Sequence, residues 1–314
     1  MKLHPVYLAI LVSIAASSCM LNNLATNLTG SFLRESDPEL AAQALPTFIK
    51  ASEALLAGDP GNIANAVTTA SLYVMYASAF LDGQAFLLPD ERYDEKLSLT
   101  TRAGALYSRA SAILVPLVRR RAPGIFAQAR GAGALAASKA GFDKAGASRF
   151  GKADVPLLYW TSAAILAGFA DSPLDFDNAA RVGDALVLLD RALVLDPDYN
   201  KGALHELAFS WFASAPQSLG GDPGRAEREY SAAIAASGGV GASIYVSHAL
   251  AVSVPAADYA GFRSSLNESI MVAKATPSSS DMTLLNVLAW RKARFLLDRA
   301  SDYFETLPTE AGTP

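Results

Sequence analysis

At 314 residues with an apolar fraction of 51%, the chain has length for one large domain or two ordinary ones and enough apolar material for a sizeable core. Charged residues make up only 18% and aromatics 9%, while Ala and Leu abound, which suits closely packed helices. The net charge of −4 leaves no basic footprint and argues against a nucleic-acid partner.

The first nineteen residues stand apart: Lys2 precedes an apolar run from Val6 to Ala16, then Ser17, Ser18 and Cys19. The run is too short to span a bilayer but has the length of a signal-peptide core. Small residues leading to the chain's one cysteine resemble a bacterial lipobox, with Ala16 where Leu is usual. In that arrangement the peptidase cuts before Cys19, and the residue carries diacylglycerol and an acyl chain such as palmitate. A lone Cys in an exported protein suits an anchor better than a disulfide. We therefore expect residues 1–18 to be a signal peptide, 19–36 a lipid-anchored linker, 37–305 a helical domain and 306–314 a disordered tail. Leu21 is not the Asp that retains many lipoproteins at the inner membrane, so the leaflet stays open. No later segment reads as an uncharged membrane-spanning run.

Residues 20 to 36 carry Leu21, Leu24, Leu28 and Phe32 at helical spacing. Asp37-Pro38-Glu39 predicts a helix start, with Asp37 as cap and Pro38 in the first turn, and Gly58-Asp59-Pro60 a stop. A second helix is expected from Asn62 to about Leu81, burying Ala66, Leu72, Tyr73, Tyr76 and Phe80, and closed by Asp82-Gly83. After a loop at 84–95, a long helix is predicted from about Lys96 to Arg121. Two short helices broken near Gly131 and Gly141 follow, and then a helix from Asp154 through Phe169.

The clearest repeat lies between 183 and 237. Ala185, Leu189, Ala192 and Pro197 stand at the mutual offsets of the small, large, small and proline positions of a tetratricopeptide repeat, and Ala226, Tyr230 and Ala233 form a second partial copy. Small residues let two helix backbones approach while the large one fills the groove. Ala103, Tyr107 and Ala110 repeat the pattern earlier. Helices are expected at Asp175–Asp196 and Lys201–Ala213, a loop at Ala215–Gly224, and a helix at Arg225–Ala236 ended by Gly238-Gly239. Further helices are expected at about 242–253 and 256–274. A last one runs from Asp281 to about Phe304, its face of Arg291, Lys292, Arg294, Asp298 and Arg299 capping the open end against water. The fold class is all-α: a tetratricopeptide-like solenoid of helical hairpins, about eleven helices in all.

Four stretches in order, Asp154-Val-Pro-Leu-Leu-Tyr-Trp160, Ala203-Leu-His-Glu206, Pro216-x-x-Leu-Gly-Gly-Asp-Pro223 and Asn286-x-x-Ala-x-x-Lys-Ala-x-Phe-Leu-Leu297, resemble the T component of tripartite ATP-independent periplasmic (TRAP) transporters. The similarity spans about residues 37 to 305; Ala and Gly at 123–150 depart from it. The resemblance implies a periplasmic helical lipoprotein held to a membrane through Cys19 and associated with the solute-binding P component. It also implies a homotrimer with an apolar cavity for a hydrophobic ligand, and no cofactor.

Enzyme readings find little in the sequence. His4 lies in the signal segment, and His205 and His248 have no Cys partner, so no metal site is assigned. His205-Glu206 lacks the second His of a zinc-peptidase helix, and no Gly-x-Ser-x-Gly elbow is present. Nothing in the spacing marks a pair of hydrolytic carboxylates. Gly131-Ala-Gly133-Ala-Leu-Ala136 has the written form of a dinucleotide turn without the strand it needs, and Arg119, Arg120 and Arg121 suit a helix C-terminus. As ligand-binding candidates we take Tyr159, Trp160, Trp211, Phe212, Tyr245 and Trp290, which a concave face could gather, with His205 and Glu206 as polar groups. Core packing is the competing reading for each aromatic. Two functions follow: a carrier of a hydrophobic or amphipathic small molecule, or a scaffold for protein partners without a small-molecule site.

Overall fold

The computed structural model describes residues 30–126 and 147–305. The signal segment, Cys19, the glycine-interrupted stretch around Gly131 and Gly141, and the tail from 306 lie outside the described residues. Helix α1 (Pro38–Gly58) starts as expected: Asp37 Oδ1 accepts from the amides of Glu39 at 2.9 Å and Leu40 at 3.1 Å. Pro38 sits in the first turn, where its missing N–H leaves nothing unpaired.

Asn62 caps α2, which runs unbroken over 63–87: Ile63–Tyr76, a π-helical stretch Ala77–Asp82, and Gly83–Leu87. Asp82-Gly83 therefore does not close this helix. Gly83 keeps right-handed helical angles and is buried, and the wide π turn absorbs the change of register. Helix α3 (Tyr93–Arg121) begins three residues before Lys96, fed by the 3-10 turn Asp90–Arg92. Asp94 and Glu95 lie in its first turn and Arg119 to Arg121 in its last, as the helix dipole favours. Arg121 pairs with Asp154, tying this end to the start of α4 (Val155–Asp171).

The helix expected over Asp175–Asp196 is divided. Asp175 caps a single turn, α5 (Phe176–Ala179), and α6 (Val182–Leu195) follows a break at Ala180-Arg181. The first turn has no apolar face to bury, with Phe176 87% exposed, whereas Ala185, Leu186 and Leu189 of α6 are fully buried. Helices α7 (Ala203–Ser214), α8 (Pro223–Ser237), α9 (Ser243–Ser253, its second half π-helical) and α10 (Tyr259–Ala275) match expectation to within about three residues, whereas α11 (Thr283–Asp298) ends six residues before Phe304 and gives way to a 3-10 turn at Ala300–Asp302. The described residues hold eleven helices and no strand.

Neighbouring helices pair through the small-large-small pattern. Ala103, Tyr107 and Ala110 of α3, and Ala185, Leu189 and Ala192 of α6, are all essentially inaccessible. The 20-residue stretch Lys152–Asp171 is long and apolar enough to cross a membrane, contrary to the sequence expectation, but in the fold it is a core helix between α3 and α6. Gly202, before α7, shows the closeness of the α7–α8 pair: its φ is +87°, and a Cβ there would lie 3.0 Å from Ala233 O. Gly202→Ala is expected to cost about 1–3 kcal/mol, read as a lower urea midpoint with an unchanged slope.

The chain does not end in a water-facing cap. Helix α11 returns to touch α1 and the Gly83–Leu87 end of α2. Arg291 binds Glu39 through both guanidinium nitrogens, with Nη2 donating to Oε2 at 2.9 Å, and Arg34 Nη1 donates to Asp281 Oδ1 at 2.9 Å. Phe86 crosses from α2 to Phe295 with ring centroids 5.8 Å apart. Of the face expected to meet water, Arg294 and Asp298 are exposed, while Arg291 is half-buried against Glu39 and Lys292 lines the cleft beneath the helix. The helix start also moves, because Asp281 is engaged by Arg34 and Met282 takes the cap position.

Candidate functional site

The aromatic residues singled out from the sequence fall into separate groups. Tyr159 and Trp160 of α4 meet edge to face at 4.7 Å, and Tyr199 lies 5.4 Å from Tyr159. Trp211 packs 5.8 Å from Phe169, is 8% exposed, and leaves its indole N–H buried without a partner. Phe212, next in sequence, is buried beneath the Arg225 guanidinium at 3.9 Å. Tyr245 joins Tyr230 and, through it, His248. Trp290 is 38% exposed on α11.

His205 and Glu206 point to different neighbourhoods. His205 Nδ1 lies 2.6 Å from Glu229 Oε2, and Glu229 Oε1 accepts from Arg225 Nε at 3.1 Å. Arg225 Nη2 in turn donates to Asp190 Oδ1 at 2.5 Å, so α6, α7 and α8 are stitched by one charged chain. Burial raises the Glu229 carboxyl, and His205 and Arg225 outweigh it and hold that carboxyl below its usual range. Glu206 instead lies toward Ser243; burial pushes its carboxyl up, opposed by that hydroxyl and by the charge of Lys292.

A second set of polar groups, not picked out from the sequence, lies inside the first helices. Tyr107 O–H donates to Asp82 Oδ2 at 2.5 Å. Asp82 Oδ1 and Asp171 Oδ2 are buried without hydrogen-bond partners. Burial pushes Asp82 up to about 6 despite Tyr107 and Lys292, and pushes Asp171 to about 7 with help from the charge of Asp82. Lys292 is driven down by burial against the pull of Asp82 and Glu206.

Two cavities open beside this set. The larger, of about 410 Å³, lies under α11, between it and α1 and α2, with walls that include Tyr76, Phe80, Leu87, Leu288 and Lys292. A second of about 320 Å³ lies between α1, α2 and α3, and Tyr76, Leu81 and Arg102 border both. Neither is lined by the eight sequence candidates. One signal for Lys292 was nevertheless available: with Ala289 three residues before it and Leu296 four after, it falls on the buried stripe of α11. The larger volume thus combines apolar side chains with Glu39, Gln84, Arg102, Arg291 and Lys292 at its border.

A sequence model of the TRAP transporter T-component family matches residues 34–304. A protein of Treponema pallidum (strain Nichols), described as uncharacterized, is 28% identical over 279 residues, which cover 88% of this chain and 84% of that one.

Proposed function

Since the chain belongs to the TRAP transporter T-component family, we propose that it is a periplasmic, non-enzymatic transport component that binds a hydrophobic or amphipathic small ligand and associates with the solute-binding P component. Attachment to a membrane through a lipid on Cys19, and a homotrimeric state, are parts of the same reading. The observation that carries it is the return of α11 onto α1 and α2, which forms an open cleft of about 410 Å³ lined by apolar side chains such as Phe80, Leu87 and Leu288 together with charged ones. Small-molecule sites occupy about 300–1,000 Å³, and burial of apolar ligand surface at about 25 cal/mol per Å² would drive affinity there. The exposed apolar side chains of Leu174 and Phe176, each 87% accessible, favour contact with a protein partner at the α4–α6 corner.

The test is native mass spectrometry of the chain without residues 1–18, alone and with the P component. The expected result is a trimer carrying a hydrophobic adduct, with Leu288→Glu losing the adduct while keeping its helical circular dichroism. An adduct-free protein whose mass shifts only when the P component is added would replace this reading with the protein scaffold.

A further inference from the structure

Lys292 differs from every other cation on the closing helix. Its neighbour Arg291 is consumed by two bonds to Glu39. Arg299 lies over Phe295 at 4.9 Å and faces Asp302 at 3.6 Å, and Arg294 is exposed to water. Among the described residues no carboxylate oxygen comes within 4.0 Å of Lys292 Nζ, which instead lies 5.5 Å from the centre of the Phe86 ring. The carboxylates that influence it, Asp82 and Glu206, act from beyond contact range, and Asp82 already accepts a hydrogen bond from Tyr107. The Lys292 ammonium thus stands at the cavity wall without a direct ionic partner, and an incoming anion would supply one.

We propose that Lys292 is the head-group site of the cavity under α11, receiving the single negative charge of an amphiphilic carboxylate whose apolar body lies along Phe80, Leu87 and Leu288. This rests on the carrier reading above and adds the class of ligand and its orientation. With Arg291 already neutralised by Glu39, Lys292 is the ammonium left beneath α11 to meet a head group. Arg102, exposed at the wall shared with the second cavity, adds positive charge at that border and steers anions toward it. The contacts of α11 thereby serve two ends, since the helix that forms one wall of the cleft also brings its only ammonium among the described residues.

The experiment is calorimetric titration of the chain without residues 1–18 with dodecanoate, dodecan-1-ol and dodecyl phosphate, each below its micelle concentration. Dodecanoate is expected to bind at least about tenfold more tightly than dodecan-1-ol. Lys292→Met should remove that preference while leaving dodecan-1-ol binding unchanged, and Lys292→Arg should retain it. Equal binding of dodecanoate and dodecan-1-ol, or a preference that survives Lys292→Met, overturns the head-group assignment but leaves an apolar carrier standing. Tighter binding of dodecyl phosphate than of dodecanoate overturns the choice of a carboxylate. Failure of all three to bind a protein with parental circular dichroism removes both this inference and the carrier reading.

Discussion

Asn286→Leu is expected to destabilise the protein by about 3–5 kcal/mol, one of the largest losses available to a single polar substitution here. Asn286 is fully buried on α11. Its Nδ2 donates to Val240 O at 2.8 Å and to Thr276 Oγ1 at 2.7 Å, and its Oδ1 accepts from Ala242 N at 2.9 Å. One side chain thus holds the entry to α9, the exit of α10 and the body of α11. Leucine has a similar volume, so the loss is not mainly a cavity. It strands the Val240 carbonyl and the Ala242 amide, each costing about 1–3 kcal/mol when buried and unpaired. Thermal unfolding followed by circular dichroism, with hydrogen exchange at the Ala242 amide, gives the measurement. A loss below about 1 kcal/mol would mean that water replaces the amide, and the staple would not be structural.

How much of this was legible in the sequence depends on how local each signal is. The caps of α1, α2, α8 and α10, on Asp37, Asn62, Asp222 and Asp258, are set by residues two or three positions apart. Three of the helices they start are placed to within a couple of residues, and α10 to within three. The small-large-small triplets likewise report a contact made by each helix with its neighbour, and all but Tyr230 of those nine residues are buried. What failed was decided at a distance. Asp82-Gly83 has the composition of a helix end, yet α2 continues because its last turn has α3 and α11 to pack against. Phe176 has the character of a core residue, yet nothing covers it.

The site was hidden for the same reason. Tyr159, Trp160, Trp211 and Tyr245 are visible as large apolar residues on α4, α7 and α9, and in the fold they meet Phe169, Tyr199 and Tyr230. The cavity under α11 exists only because the last helix returns to the first two, a contact between residues some 250 positions apart that no local period encodes. A lysine on a mixed helix face reads as solvated until the opposite wall is known.

Two carboxylates buried among the first helices are expected to set the dependence of stability on pH. Stability is expected to fall as pH rises from about 4 to about 7, because Asp82 and Asp171 ionise at 3.8 in the unfolded chain but at about 6 and about 7 in the folded one. In this window the folded state binds more protons than the unfolded one, so the slope of unfolding free energy with pH is negative. Above pH 7 both carboxylates are charged and the cost of their burial is fully expressed. A tenfold change in proton affinity is worth about 1.4 kcal/mol, and discounting for partial solvent access gives a combined loss of about 2–4 kcal/mol. Glu39, held at about 2 by Arg291, acts in the opposite sense, but its contribution is lost only as pH falls from about 4.5 toward 2. A stability maximum near pH 4–5 follows.

Urea midpoints across this range for the parent, Asp171→Asn and Asp82→Asn provide the check. Asp171→Asn should match the parent near pH 4, exceed it at pH 8, and flatten the decline. Asp82→Asn should flatten it further than its own ionisation accounts for, because the Asp82 charge is one of the two causes that raise Asp171. Parallel declines in all three proteins would place the titration elsewhere, and a stability rising from pH 4 to 7 would show that the two buried carboxylates are stabilised as anions. The two outcomes differ in what they say of Lys292. If the buried pair is costly as anions, the ammonium is too far away to neutralise it and remains available to a ligand.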